Sequence, residues 1–229
     1  MYLYNRDMKT ILITGGSDGL GKAIAARLAP NNKIIILSPN EEKLKAVAEE
    51  LDCEYRVCDV RYYEQVEKVA QEIGSVDCLV NNAGLWIQGS LEENDPQRIH
   101  EVIEVNTLGV INMTKAVIPA MKQQKSGLVI NINSQGGFYA KAERGVYTAS
   151  KWAITGFTKA MQPELAPFGI AVTGIYPGMM KTDMFSKMDI EKDMTKGLDT
   201  DEVARTVEFL LTFDKPTMFP EIGIKHIDN

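Results

Sequence analysis

Short apolar runs alternate along the chain with amphipathic segments. The runs are three to six residues long and rich in valine, isoleucine and leucine. This is typical of strands that a parallel sheet buries on both faces. A further strand is expected near the C-terminus. The predicted strands cover residues 10–14, 33–37, 55–58, 78–80, 128–132, 170–175 and 222–226.

The amphipathic segments carry apolar residues at the three- and four-residue spacing of helices. Pro163 lies inside the segment that begins near Gly145, so that helix should kink. Regular alternation of strands and helices predicts a single α/β domain, residues 1–229, in which helices cover both faces of a parallel sheet. The predicted helix caps are Asn40, Asp95, and Asp199 or Thr200.

Composition excludes several classes of protein. The chain has 229 residues, 45% of them hydrophobic, and a net charge of −6, which argues against a basic nucleic-acid interface. The longest aliphatic runs are far too short to span a bilayer, and the first nine residues contain no apolar leader, so we expect a cytoplasmic protein without a membrane partner. No metal site is predicted, because Cys53, Cys58, Cys78, His100 and His226 lack metal-ligand spacing.

A glycine-rich turn follows the first predicted strand. Residues 14–21 read Thr-Gly-Gly-Ser-Asp-Gly-Leu-Gly, and a helical stripe comes next. Glycines allow a tight turn close to a pyrophosphate, which the free N–H groups of the following helix can bind. A triphosphatase loop would need Ser or Thr after Lys22 to hold Mg²⁺, but the residue there is Ala23. The spacing therefore favours a dinucleotide site.

Tyr147 and Lys151 stand four residues apart, with Ser134 thirteen residues upstream of the tyrosine. On a helix the two side chains share one face. A phenol with a pKa of about 10 is a poor acid–base group near neutrality, and a nearby cation would stabilise the phenolate. Ser134 could orient the oxygen that Tyr147 protonates. Alone, the Tyr–Lys spacing also fits a solvated helix face.

The ordered set of motifs resembles the short-chain dehydrogenase/reductase family over roughly residues 9–226. After the glycine turn come Asp59-Val60, the Asn-Asn-Ala-Gly sequence at 81–84, and Asn106 in Val-Asn-Thr-Leu-Gly. Ser134, Tyr147, Lys151, Pro177-Gly178 and Thr182 complete the series. The resemblance implies a doubly wound Rossmann-type domain of about seven strands in the order 3-2-1-4-5-6-7. It also implies hydride transfer between NAD(P) and a carbonyl or alcohol substrate.

The resemblance also implies residue roles. Tyr147 is the general acid–base group, Lys151 lowers its pKa and binds the nicotinamide ribose, Ser134 holds the substrate oxygen, and Asn106 anchors a water relay. The implied cofactor contacts are Gly15, Ser17, Asp18, Gly19, Leu20, Gly21, Ser38, Pro39, Asn40, Asp59, Val60, Asn82, Ala83, Gly84, Tyr147, Lys151, Pro177, Gly178, Met180 and Thr182.

Structural alternatives stay open for four of these positions. Asn81-Asn82 could form only a turn, Asn106 could be a satisfied helix residue, and Asp59 could cap a helix. Pro177-Gly178 could be only a loop break. A cofactor-binding regulatory or scaffold protein without turnover is the alternative function.

The choice between NADP and NAD depends on charge beside the adenine ribose. The end of the second strand reads Ser38-Pro39-Asn40, with neither the Asp of NAD-binding relatives nor a basic residue for the 2′-phosphate. Asp18 would repel that phosphate, whereas Lys43 could reach it. We therefore expect a slight preference for NADP(H), with NAD(H) possible.

Substrate and assembly are less sharply defined. The expected substrate loop, residues 179–197, is rich in methionine, which suits an adaptable apolar pocket but equally a loop packed on its own domain. The family resemblance implies a homodimer or homotetramer formed through the helices after Asn106 and Gly145. The candidate substrate residues are Trp86, Gln135, Phe138, Met179, Met184 and Phe185.

Overall fold

The computed structural model of the protein describes residues 8–184, 193–213 and 217–228. Seven parallel strands form one sheet in the order β3-β2-β1-β4-β5-β6-β7, which confirms the predicted topology. The strands are β1 Thr10–Thr14, β2 Lys33–Ser38, β3 Glu54–Val57, β4 Cys78–Asn81, β5 Gly127–Ile132, β6 Ile170–Pro177 and β7 Glu221–Ile224.

Helices cover both faces of this sheet. They are α1 Gly19–Leu28, α2 Glu41–Leu51, α3 Tyr63–Ile73, α4 Pro96–Ile103, α5 Gly109–Gln124, α6 Gly145–Leu165 and α7 Thr200–Leu210. Asn40 and Asp95 accept hydrogen bonds from backbone N–H groups at the starts of α2 and α4, and Asp199 forms a capping box with Glu202. These caps confirm the predicted helix starts, because side-chain oxygens satisfy N–H groups that the first turn leaves without a partner.

The core has two layers, one on each side of the sheet. Ile11 and Ile13 pack in the layer that contains the buried residues of α1 and α7, whereas Leu12 packs in the layer with those of α3 and α5. Successive side chains of a strand point to opposite faces. The continuous apolar runs in the sequence are therefore the signature of strands buried on both sides.

The last strand differs from the sequence prediction, and the predicted kink of one helix is not tested. The last strand begins at Glu221 and ends at Ile224, where its backbone pairs with the end of β6. Helix α6 continues through Pro163 to Leu165, and the predicted kink remains a prediction. Proline removes one internal hydrogen bond, but only two residues of the helix follow it.

Loops that carry the predicted motifs meet at the carboxyl edge of the sheet. The strand order reverses between β1 and β4, and such a switch point leaves a crevice beyond the strand ends. The glycine turn follows β1, the Asn-Ala-Gly loop follows β4, and Ser134 follows β5. None of the helices in the described ranges is long and apolar enough to cross a membrane.

Candidate active site

The glycine turn connects the end of β1 to the start of α1 at Gly19. Gly15 and Gly19 have φ values of +64° and +50°, a region that side chains with a Cβ rarely adopt. A Cβ at Gly21 would lie 2.1 Å from the carbonyl oxygen of Gly15. Glycine is therefore required both for the turn and for the close contact between the turn and the helix.

The loop after β4 is bonded to the same turn. The Thr14 hydroxyl accepts hydrogen bonds from the backbone N–H groups of Asn82 (2.9 Å) and Ala83 (3.0 Å). The Asn82 side chain donates to the carbonyl oxygens of Thr14 and Gly15. Asn82 thus joins two loops, and it does more than form a local turn.

A cavity of about 450 Å³ lies between these two loops. Most of the predicted cofactor residues line it: Gly15, Ser17, Asp18, Gly19, Leu20, Ser38, Pro39, Asp59, Val60, Asn82, Ala83, Gly84 and Thr182. Gly21 instead packs beneath the turn, and Asn40 caps α2. We call this space the dinucleotide cavity.

Polar groups at one end of the dinucleotide cavity are paired with one another. The hydroxyls of Ser17 and Ser38 lie 3.0 Å apart. The Nζ of Lys43, in the first turn of α2, lies 3.4 Å from the Asp18 carboxylate. This is the lysine that the sequence analysis expects to reach a 2′-phosphate. No aspartate closes β2, so the usual acceptor for a free 2′-hydroxyl is missing from the end of this strand.

Asp59 forms an ion pair with Arg61 at 2.6 Å. Burial opposes ionisation of this carboxyl, but hydrogen bonds and the charge from Arg61 outweigh burial and lower the pKa of Asp59. The side chain does not cap α3, whose N-cap is Tyr62. Asp59 is therefore an ionised wall residue of the cavity.

Tyr147 is the third residue of α6 and is buried. Burial raises the pKa of its phenol, while a hydrogen bond with Ser134 and the charge of Arg144 lower it in part. Ser134 has an extended backbone, and its hydroxyl accepts a hydrogen bond from the N–H of Gly136 at 3.0 Å. The two predicted residues, Ser134 and Tyr147, thus lie side by side in the folded chain.

Lys151 lies one turn further along α6, and only 6% of it is exposed. Its Nζ donates to the carbonyl oxygen of Ile132 at 3.2 Å and stands 5.8 Å from the centre of the Tyr147 ring. Burial lowers the pKa of Lys151 to about 8. Burial is the largest influence on the pKa of the Tyr147 phenol and raises it, and the lowering of that pKa by Lys151 stays a prediction.

Asn106 lies in a π-helical turn, residues 104–108, between α4 and α5. Its Nδ2 donates to the carbonyl oxygen of Leu85 (2.9 Å) and to the hydroxyl of Ser150 (3.1 Å), and its Oδ1 accepts from the N–H of Leu85 (2.7 Å). Both amide protons are used within the protein. The side chain therefore positions the loop after β4 against α6.

A second cavity, of about 510 Å³, is lined by Tyr147 and Ser134. We call it the substrate cavity. Trp86, Gln135, Met179 and Met184 line it as predicted, together with Gly178 and Met180. Phe138 does not, because its ring stacks on Tyr176 at 3.8 Å instead. Phe185 and Met188 lie outside the described residues.

Sequence reasoning missed several residues that line the substrate cavity. They are Tyr139, Lys141, Arg144, Thr148 and Lys225. Most belong to the segment between Ser134 and Tyr147. A segment that connects two residues of one site has to pass close to that site. The position of these residues between Ser134 and Tyr147 in the sequence could therefore have indicated that they line the cavity. Lys225 follows β7 directly, and the position of that strand end could be known only from the folded chain.

Comparison with known proteins agrees with this geometry. The family model for short chain dehydrogenase matches residues 9–193. An uncharacterized oxidoreductase of Staphylococcus saprophyticus is 34% identical over 230 residues, which cover 96% of this chain and 97% of the relative. Carbonyl reductase family member 4 of Xenopus tropicalis is 34% identical and is covered over 91% of its length, with 89% of this chain.

A solved structure with a similar fold is the alcohol dehydrogenase from the archaeon Thermococcus sibiricus complexed with 5-hydroxy-NADP. It has a TM-score of 0.89 at 31% identity, with 97% of this chain and 98% of the other covered. The chain belongs to the short-chain dehydrogenase family. It is thus an oxidoreductase with a Rossmann-type fold, as the sequence motifs predict.

Lys151 provides a test of the electrostatics of the site in the protein alone. Its pKa in the folded protein, about 8, is below the ordinary value of 10.5. Below pH 8 the fold must bury a cation, which destabilises it. Between pH 8 and 10.5 the unfolded chain binds the proton that the folded protein has lost, so the stability contribution of Lys151 rises with pH by about 1.4 kcal/mol per unit.

We therefore expect the free energy of unfolding of wild type, relative to that of Lys151→Met, to rise between pH 8 and pH 9.5. Below pH 8 the difference between the two free energies should be constant. Urea denaturation at closely spaced pH values measures it. The control is Lys68→Met, which removes an exposed lysine and should show no such trend. A wild-type-minus-Lys151→Met difference that is flat up to pH 9.5 would contradict the depressed pKa.

Proposed function

We propose that the protein is an NAD(P)-dependent oxidoreductase that interconverts a carbonyl compound and its alcohol. The observation that carries this proposal is that the buried Tyr147 lines the substrate cavity together with Ser134, with Lys151 one helical turn away on α6. The nicotinamide ring, when bound, supplies or takes up the hydride.

The chain's own residues would handle the proton. In reduction, Ser134 orients the carbonyl oxygen by a hydrogen bond, and Tyr147 gives its proton to that oxygen as negative charge develops there. The raised pKa of Tyr147 keeps the phenol protonated at neutral pH, which suits a general acid. Lys151, with a pKa of about 8, is mostly charged at pH 7 and stabilises the phenolate that results. A water relay at Asn106 would return the proton.

The residues present fit a dinucleotide. The glycine turn has no Cβ atoms where the pyrophosphate would approach, and the N-terminus of α1 points its free N–H groups there. The Lys151 ammonium has three protons but, within the described residues, one protein acceptor. The other two can bind the ribose hydroxyls. Asp59 and Val60 would contact adenine, and Pro177, Gly178, Met180 and Thr182 would surround the nicotinamide amide.

A modest preference for NADP(H) follows from the residues near Ser38. Two serine hydroxyls and Lys43 can bind the 2′-phosphate, whereas Asp18 opposes it. The 5-hydroxy-NADP in the archaeal alcohol dehydrogenase supports this choice. NAD(H) would still bind, because the pyrophosphate contacts do not depend on the 2′ substituent.

The catalytic assignment is tested by Tyr147→Phe. General acid–base catalysis contributes about 10²- to 10⁴-fold, so we expect kcat to fall by about that factor while NADPH affinity changes little. The assay uses a panel of ketones, aldehydes and alcohols with both cofactors, and calorimetry measures binding. Tyr55→Phe, on β3, is the matched control.

Two results would contradict the proposal. One is wild-type kcat in Tyr147→Phe on a working substrate. The other is tight cofactor binding by the wild type without turnover across the panel, which would favour a cofactor-binding regulatory protein instead.

Cofactor choice is tested by Asp18→Arg. Reversing a charge that acts through high dielectric is worth about 1 kcal/mol or somewhat more, so NADPH affinity should rise about tenfold, with little change for NADH. Lys43→Ala should weaken NADPH binding, while Lys45→Ala, on the same helix, should not. If wild type strongly prefers NADH and Lys43→Ala leaves NADPH affinity unchanged, this end of the cavity binds no phosphate.

We also propose a homodimer or homotetramer formed through α5 and α6. Trp152 on α6 is 53% exposed, and Leu108 at the start of α5 is 46% exposed. Sedimentation at micromolar concentration should give two or four times the chain mass of 25.4 kDa. Trp152→Glu should lower that mass, because it places charge in the apolar contact, whereas Leu91→Glu, at an even more exposed apolar side chain elsewhere, should not. A monomeric wild type would contradict the assembly.

A further inference from the structure

The substrate cavity is positively charged in a chain whose net charge is −6. Its lining includes Lys141, Arg144 and Lys225, and the one acidic side chain that lines it in the described ranges is Asp193. Asp193 is exposed, and hydrogen bonds from the backbone and side chain of Thr195 lower its pKa, so it is ionised and offsets only one of the three positive charges.

Of the three cations that line the substrate cavity, Arg144 is the one that contacts the aromatic pair Trp86–Tyr147. Its guanidinium carbon lies 5.1 Å from the centre of the Trp86 ring, and the Trp86 and Tyr147 rings are 4.3 Å apart. The charge of Arg144 acts on the Tyr147 phenol. Arg144 therefore stands beside the position where the substrate carbonyl meets its proton donor.

The hydrogen-bonding capacity of Arg144 is not used by the protein. Within the part of the chain that the structure describes, its guanidinium forms no hydrogen bond and no ion pair, although it carries five N–H donors. Lys141 and Lys225 likewise have no ion pair with any described residue. The cation–π contact with Trp86 holds Arg144 in place and leaves the N–H donors of its guanidinium for a ligand.

The dinucleotide cavity has the opposite charge. Its lining includes Asp18, Asp59, Glu101 and Asp183, and its one cation among the described residues, Arg61, is paired with Asp59. The phosphates of a dinucleotide would lie at the glycine turn, on that side. The three cations of the substrate cavity are therefore placed for another anion.

We propose that the physiological substrate carries an anionic group, a carboxylate or a phosphate, in addition to its carbonyl or hydroxyl group, and that Arg144 binds it. This rests on the proposed function, because it takes the carbonyl oxygen to lie at Tyr147 and Ser134. The planar guanidinium can bind two oxygens of such an anion in parallel. Lys141 and Lys225 draw the anion into the cavity and offset repulsion from the negatively charged cofactor.

Matched acids and esters test this inference. The first pair is 4-oxopentanoate and its methyl ester, and the second is 2-oxopropylphosphonate and its dimethyl ester. Each pair keeps one ketone and differs in charge. With NADPH, the acid of at least one pair should have a kcat/KM about tenfold or more above its ester, and the pair with the larger ratio distinguishes a carboxylate from a phosphate.

Arg144→Met should reduce the acid-to-ester ratio about tenfold, and Arg144→Lys should retain part of it. The ratio is taken within each variant, so any general effect of Arg144 on Tyr147 cancels. Lys159→Gln removes a cation of α6 that pairs with Glu221 away from the cavity, and it should leave the ratio unchanged. Added salt should lower the ratio more in wild type than in Arg144→Met, where only the attraction by Lys141 and Lys225 remains.

Calorimetry gives a second readout that does not need turnover. The acid should bind the Tyr147→Phe–NADPH complex more tightly than its ester. If the acid of a pair binds but wild type turns over neither the acid nor its ester, the result would contradict the proposed function and support the anion site. Ester turnover with a ratio near one in both pairs would overturn the anion site and leave the proposed function standing. Loss of NADPH affinity in Arg144→Met, with the ratio unchanged, would also overturn it.

Discussion

The active site depends on the hydrogen bonds of one buried amide, Asn106. Its side chain holds both backbone groups of Leu85 and the hydroxyl of Ser150, and that hydroxyl in turn donates to the carbonyl oxygen of Tyr147. Three segments that are far apart in the sequence meet at this point. Because an unsatisfied buried amide is costly, the loop after β4 and the first turn of α6 have few alternative positions.

Burial acts on the two titrating side chains in the same sense. It raises the pKa of Tyr147 and lowers that of Lys151, so it favours the neutral form of each. A phenolate beside an ammonium is a different case, because opposite charges attract strongly where water is excluded. The site therefore penalises each charge alone and favours the pair, which is the state that the proposed proton donation by Tyr147 would produce.

Local signals in the sequence predict the strands, the helix caps and the glycine turn, since each depends on residues close together in the chain. Asn40 caps α2 because its own oxygen reaches the N–H of Lys43. Positions that depend on distant partners are harder. Phe138 lies four residues after Ser134 in the sequence, yet it stacks on Tyr176, and Arg144 is placed in the site by its contact with Trp86. Such contacts form when the loops after β4 and β5 meet, which no local pattern encodes.

Thr182 and Met184 line both cavities and so form a common wall between them. A side chain that contacts two ligands makes their binding free energies interdependent. If occupation of one cavity shifts this wall toward a position that suits the other, each ligand raises the affinity of its neighbour by the same factor. Under that condition, substitutions of Thr182 or Met184 would change how strongly each ligand affects the binding of the other.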